Sequence, residues 1–178
     1  MTRSVASAVT GALGPAVTLM CAAVLVAGCT VKYSFSGASI SPEAKTVSIQ
    51  QFENVATMVT PILATQLTEG LQDKFSRGTR LMQVREDGDL AFEGEITNYV
   101  SAPISVSGDE YATQNRLTVT VRVRFTNRIE PQYDFDRTFS AYADYDAMKL
   151  MQEVEPTLLP EIVEKLSEDI FNAAVSNW

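Results

Sequence analysis

Three groups of residues in this sequence have types and spacings that suit chemistry. The first is Val26-Ala27-Gly28-Cys29. Small residues ahead of a cysteine, closing an apolar run, form the pattern cut in bacterial lipoprotein precursors; the thiol of Cys29 would then carry a diacylglycerol. The second is the pair Glu93 and Glu95. Two apart on a strand, they point to one face with Cβ atoms about 7 Å apart, and a carboxylate pair for glycoside cleavage can be imagined from them. The commoner use of such residues is pairing with cations on the next strand, for which Arg122 and Arg124 are candidates. The third is the row Arg116, Arg122, Arg124 and Arg128, interleaved with threonine. It reads either as a solvated face of cross-strand ion pairs or as a surface for a partner protein or the phosphates of a glycolipid, since guanidinium forks fit phosphate.

What is missing narrows the chemistry further. There is no histidine, and the cysteines are Cys21 and Cys29 alone. Ser–His and Cys–His nucleophile pairs therefore cannot be built, and zinc sites of the usual nitrogen and sulfur kind have no ligands. No glycine-rich phosphate loop is present. The sequence predicts a protein that is not an enzyme and needs neither cofactor nor metal.

The N-terminal segment sets the compartment. Arg3 precedes the uncharged run AVTLMCAAVLV, residues 16–26. A membrane span needs about 20 apolar residues, so this run fits the apolar core of a signal peptide. The expected layout is a signal peptide over 1–28, cut between Gly28 and Cys29, a lipid-anchored tether over 29–44 rich in Ser, Gly and Pro, and one domain over 45–178. Cys21 leaves with the signal and Cys29 is acylated, so the fold must hold by packing without disulfides. Removing Arg3 from the 14 basic residues takes the formal charge from −8 to −9. A nucleic-acid binder carries a basic surface, and an acidic chain does not adhere broadly to anionic lipid.

The elements that must position these residues follow from periodicity. Thr46–Ile49 alternates as a first strand, and Gln50 to Met58 reads as a connection. Thr60-Pro61 starts a helix, and Leu63, Leu67, Leu71 and Phe75 give it one apolar stripe to about residue 77. Arg77-Gly78 closes it, with Gly78 in a left-handed cap. A short strand over 80–84 turns at Asp87-Gly88 into a strand over 90–99, where Leu90, Phe92, Gly94, Ile96 and Asn98 share a face. Residues 101–115 read as a long hairpin loop. Leu117, Val119, Val121, Val123 and Phe125 alternate against the arginine and threonine row, the clearest antiparallel signal in the chain. A further strand runs from Tyr133 to Tyr142, with an irregularity near Arg137. The last helix begins near Pro156 or Pro160; Glu161 and Lys165 pair on its wet side. Helix one joins two strands that are expected to be parallel neighbours, and the remaining strands form a meander. The fold class predicted is α+β: a two-layer sandwich with two helices on one face of a mixed four- to five-stranded sheet.

The stretches YSFSGASI (33–40), AKTVSIQQFEN (44–54), GDLAFEGEITNY (88–99), QNRLTVTVRVRFTN (114–127) and EIVEKLSEDIFNAAVSNW (161–178) resemble the LptE-like lipoproteins of Bacteroidota. The resemblance implies an outer-membrane lipoprotein of lipopolysaccharide assembly on the periplasmic side, acting as plug and folding scaffold of the LptD β-barrel. Lipopolysaccharide is a possible further ligand, which relatives touch with basic loop residues. The 101–115 loop here offers Asp109 and Glu110 and no cation before Arg116. A second reading is open, because TVSIQQFEN with the helix and strand after it also looks like TolB- or CsgG-type envelope assembly or secretion lipoproteins.

Overall fold

A computed structural model describes residues 40–58, 60–104 and 114–175. The expected signal peptide, Gly28, Cys29, most of the tether and the tip of the 101–115 loop lie outside the described residues. The elements are β1 (Thr46–Ile49), β2 (Glu53–Asn54), α1 (Pro61–Gly78), β3 (Met82–Val84), β4 (Leu90–Ile104), β5 (Gln114–Asn127), a 3₁₀ turn (Pro131–Tyr133), β6 (Phe135–Asp146) and α2 (Met151–Val175). They form the α+β sandwich expected, with six strands rather than four or five. The sheet order is β3-β1-β4-β5-β6, and β2 lies beside β4. β1 is parallel to β3 and β4, and β2 is parallel to β4; β4, β5 and β6 are an antiparallel meander.

Both helices cover one face of the sheet and run in the same direction, with Thr60 at Glu155, Gly70 at Val163 and Gly78 at Phe171. The α1 stripe is buried as expected, with Leu63, Leu67, Leu71 and Phe75 at 0 % exposure, against Val47, Phe92 and the β5 row. α2 adds Leu159, Ile162, Leu166 and Ile170. An aromatic row crosses the core, Phe171–Phe75–Phe92–Phe125–Phe135–Phe139, with ring centroids 4.7–6.1 Å apart. Gly78 is the last helical residue and Thr79 the extended cap. A Cβ on Gly78 would stand 2.8 Å from the Phe171 ring, and one on Gly70 2.9 Å from Val163. Both glycines therefore serve the approach of the two helices, and Gly78 is not a left-handed cap.

Five further differences from expectation have local causes. First, Asp87-Gly88 does not make a hairpin. β1 lies between β3 and β4, so residues 85–89 cross over β1 on the open side of the sheet as a strap. Gly88 lies on the β1 backbone: a Cβ there would be 2.5 Å from the Ser48 nitrogen. Asp87 takes the left-handed conformation, φ 57°. The strap is stitched down: Gly88 N–H donates to Ser48 Oγ (3.2 Å), Asp89 N–H to Thr46 Oγ1 (2.9 Å), and the backbones of Lys45 and Thr46 donate to Asp89 Oδ2 (2.8 and 3.0 Å). Those donors hold the Asp89 carboxyl below its ordinary range.

Second, the chain between β1 and α1 contains β2, two residues too short to show a period. Before it, Phe52 turns inward and packs where a side chain on Gly94 would be, 2.3 Å from an added Cβ; its N–H donates to Thr68 Oγ1 (3.0 Å). Third, β4 has a bulge at Thr97, because Ile96 pairs with Val121 while Asn98 pairs with Thr120. The extra residue shifts the alternation, so Tyr99 is buried and Asn98 is exposed. Fourth, β4 and β5 continue to Ile104 and from Gln114, through residues expected as loop. Pro103 is tolerated there because, among the described residues, β4 has no second neighbour beyond β2, and a proline can sit on an open edge. Fifth, β6 pairs with β5 without irregularity from Phe135 to Asp146. The alternation weakens at Arg137 because that residue sits on the helix side between Phe135 and Phe139, its guanidinium 5.2 Å from the Phe135 ring centroid.

α2 begins at Met151 and runs through Pro156 and Pro160. Each proline withdraws a donor from the ladder, and the turns they weaken are held from outside. Glu155 accepts from the Tyr99 hydroxyl (2.5 Å) and from the hydroxyl of Thr60, the residue that precedes α1. Burial, and then the neighbouring Glu155, push the Tyr99 hydroxyl up to about 12. Ser101 and Tyr145 share a hydrogen bond of 2.6 Å nearby. Ile40 packs on the core and Ala44 is buried, within the stretch read as tether.

Candidate functional site

Among the described residues, the face of the sheet away from the helices is covered only by the strap. It is where the alternation of β4, β5 and β6 sends Glu93, Glu95, Arg116, Arg122, Arg124, Asp136, Thr138, Ser140, Tyr142 and Asp144. The two expected glutamate–arginine pairs are present. Arg124 Nη1 lies 3.9 Å from Glu93, and Arg122 Nη1 lies 3.8 Å from Glu95. The stronger partners come from β6. Arg122 forks onto Asp136, with Nε and Nη2 both 2.8 Å from its two oxygens. Arg116 does the same to Asp144, at 2.7 and 2.9 Å, and stacks 3.7 Å above the Tyr142 ring. Such two-point pairs are the strong form of the arginine–carboxylate contact. They hold Asp136 and Asp144 below the ordinary carboxylate range, each through its arginine first.

The four arginines do not act as one row. Arg122 and Arg124 stand together, while Arg116 is six residues away along β5, roughly 20 Å. Arg128 lies beyond the end of β5 and reaches the strap, donating from Nη2 to Asp87 Oδ1 (2.5 Å) and from Nη1 to Asp87 O (3.1 Å). Arg116, Arg122 and Arg128 are each committed to an aspartate, so a phosphate arriving here must displace a carboxylate to gain the fork.

Where the chain turns inward between β1 and β2, the open face has a shallow depression of about 300 Å³ over Gly94. Its rim carries Gln50, Glu53, Glu93, Glu95, Arg122 and Asp136. Glu93 and Glu95 accept cations here, and Glu93 also accepts from Gln50 Nε2 at 3.4 Å. Among the described residues, their recorded partners are Gln50, Arg122 and Arg124. Among the described residues no group of three or more Asp or Glu is placed to hold a metal ion, and no helix is long and apolar enough to cross a membrane.

Sequence reasoning missed two groups. Glu155 was placed ahead of the expected start of the last helix, so its junction with Thr60 and Tyr99 had no signal. Asp136 and Asp144 could have been found by continuing the alternation of β6 through Arg137, which puts them opposite the arginine row.

The family model described as "LptE: Lipopolysaccharide-assembly" matches residues 44–174. No curated protein matches the sequence. Among solved structures, the chain is similar to a protein from Xanthomonas campestris (TM-score 0.51, 7 % identity, covering 78 % of this chain and 90 % of that one). It is also similar to a hypothetical protein from Chlamydia trachomatis (0.50, 8 % identity, 74 % and 98 %) and to the rare lipoprotein B of Shewanella oneidensis (0.48, 10 % identity, 72 % and 92 %). At these identities the likeness concerns the fold alone.

Proposed function

The chain belongs to the LptE family of lipopolysaccharide-assembly proteins, and from that premise we propose that it plugs and scaffolds an LptD-type β-barrel in the outer membrane. It is an envelope lipoprotein of lipopolysaccharide assembly, in a family that is not enzymatic. The observation that carries the finer reading is the span of the match, residues 44–174, which runs from β1 to the last turn of α2. In the proposal, residues 1–28 are a signal peptide, Gly28–Cys29 is the cut, and Cys29 carries the lipid that holds the protein on the periplasmic side. More than one acyl chain makes such an anchor stable.

The open sheet face supports the plug reading on physical grounds. The inside of a large outer-membrane barrel is polar. A plug that fills it needs a surface that stays hydrated or hydrogen-bonded without net charge to bury. Paired arginines and aspartates beside Thr118, Thr120, Thr138 and Ser140 meet that need. We assign Arg116, Arg122, Arg124 and Arg128 to this partner-facing side; contact with lipopolysaccharide phosphates at the same arginines would require them to leave their aspartates.

Three measurements test the reading. Affinity purification from detergent-solubilised membranes is expected to bring one large β-barrel in equal amount, and depletion to stop lipopolysaccharide reaching the surface. A chain recovered without a barrel, with surface lipopolysaccharide unchanged on depletion, overturns it. Mass spectrometry is expected to find the chain starting at an acylated Cys29, and Cys29→Ser to leave it uncut.

A further inference from the structure

We propose that the outer edge of β6 is a docking site for an extended basic segment of a partner protein, which adds to the sheet as a seventh strand. The two edges of this sheet differ. On one side β3 is three residues long, too short to template a partner. On the other, β6 is twelve residues long, in unbroken register with β5. It has no proline and no bulge, two of the devices that blunt an edge, and its one charge on the helix side is Arg137.

The orientation of the edge can be read from one contact. Lys165 Nζ donates to the Tyr142 carbonyl at 3.0 Å, so that carbonyl points away from β5. In a strand the N–H and C=O of one residue point the same way, and alternate residues agree. Asp136, Thr138, Ser140, Tyr142 and Asp144 therefore turn their backbone groups outward. Among the described residues, Lys165 is the one partner recorded on that side.

The space beside this edge fits a strand. A groove of about 300 Å³ runs between β6 and α2, lined by Ser140, Ala141, Tyr142, Lys165, Glu168 and Asp169. The small side chains of Ser140 and Ala141 leave room for those of an added strand. The groove's charge selects the occupant. α2 holds six acidic residues and one lysine within Met151–Val175, and that lysine, Lys165, is bound to Glu161 (2.8 Å) as well as to Tyr142. An incoming strand with Lys or Arg on its helix side meets Asp169, and Glu168, which also lies 3.5 Å from Lys74. A second copy of this chain would bring two acidic rims together, and like charges across strands are unfavourable. Lys165 is then a latch, occupying one edge carbonyl until a backbone N–H replaces it.

The test uses the full chain in detergent and a ten-residue peptide alternating Lys and Val, with a Glu and Val peptide as comparator. Hydrogen exchange of the Thr138, Ser140 and Tyr142 amides is expected to slow at least tenfold with the basic peptide and to stay unchanged with the acidic one. Lys165→Ala is expected to tighten binding several-fold. Ser140→Pro, which removes an outward N–H and leaves the backbone bonds to β5 while losing the hydroxyl contacts to Val119 and Thr120, is expected to abolish it. Should that variant fail to fold, the basic peptide N-methylated at alternate residues serves instead and is expected not to bind. Equal binding of both peptides, tight binding of the N-methylated peptide, or protection confined to other strands overturns the proposal. So does protection that rises with protein concentration in the absence of peptide, which would make a second copy the occupant.

Discussion

The end of the sandwich where the chain enters β1 and the end where both helices begin are built from different materials. At the first, the core is a row of phenylalanine rings from α2 across α1, β4 and β5 to β6, sealed outside by the strap over β1. At the second, buried Tyr99 and half-buried Thr60 both bond to Glu155, and buried Tyr145 shares a hydrogen bond with the exposed Ser101. The surface there shows Met58, Ile62, Met148 and Leu150 exposed. The dry end owes its strength to apolar area and close packing, which tolerate no lost volume. The hydroxyl end is held by a few directional bonds, each worth less but each fixing the angle at which an element departs.

Substitutions at the two ends sharpen that contrast. Phe92→Ala removes a fully buried ring from the middle of the aromatic row and is expected to cost about 4 kcal/mol, read as a drop in the denaturant midpoint with unchanged slope. Gly88→Ala drives a methyl group into the β1 backbone; about 3 kcal/mol is expected, at the upper end for overpacking. A loss under ~1 kcal/mol would mean the strap can lift. At the other end Tyr99→Phe removes one bond to a carboxylate and is expected to cost about 1.5 kcal/mol.

The same tyrosine gives a pH signature. Its folded pKa is raised from 10.0 to about 12, so its contribution is whole below pH 10 and is lost as the pH climbs towards 12. Tyr99→Phe is expected to flatten that alkaline decline, measured by urea unfolding across the range. The smallest effect belongs to the open face. Asp136 and Asp144 are lowered from 3.8, so their contribution is present above that value and is lost as the pH falls below it. Both are solvated, and exposed pairs contribute little. Asp136→Asn with Asp144→Asn is expected to change the acid limb of the stability curve slightly and the neutral plateau hardly at all. A large loss at neutral pH would mean the forks hold β6 in place.

The parts of this molecule that repeat with a fixed period were legible in the sequence. The β5 alternation, the α1 stripe and the parallel pairing of the strands joined by α1 followed from spacing alone. So did the shared face of Glu93 and Glu95, with Arg122 and Arg124 as candidate partners; which glutamate meets which arginine is set by the β4–β5 register. What escaped were the points where one residue changes the geometry. Asp87-Gly88 reads the same whether the chain folds back beside its neighbour or crosses over a third strand. Thr97 carries no mark of its bulge, yet it exchanges Asn98 for Tyr99 in the core. Pro156 and Pro160 read as helix starts because the Glu155 bonds that carry the helix back to Met151 join residues distant in sequence. For the open face, half of each ion pair was visible: the arginines declared themselves, whereas the aspartates that grip them lie on β6, whose phase was lost at Arg137.

The strap has a mechanical consequence. β1 is flanked by parallel strands, covered by α1 on one side and by Gly88 on the other, and its entry is gripped by Asp89. A pull on the chain ahead of Lys45 therefore runs lengthwise along β1. Its hydrogen bonds to β3 and β4 would be loaded together, as in a lap joint, instead of opening one after another like a zip. Tension on the N-terminal side is thus met by the part of the molecule best able to resist it.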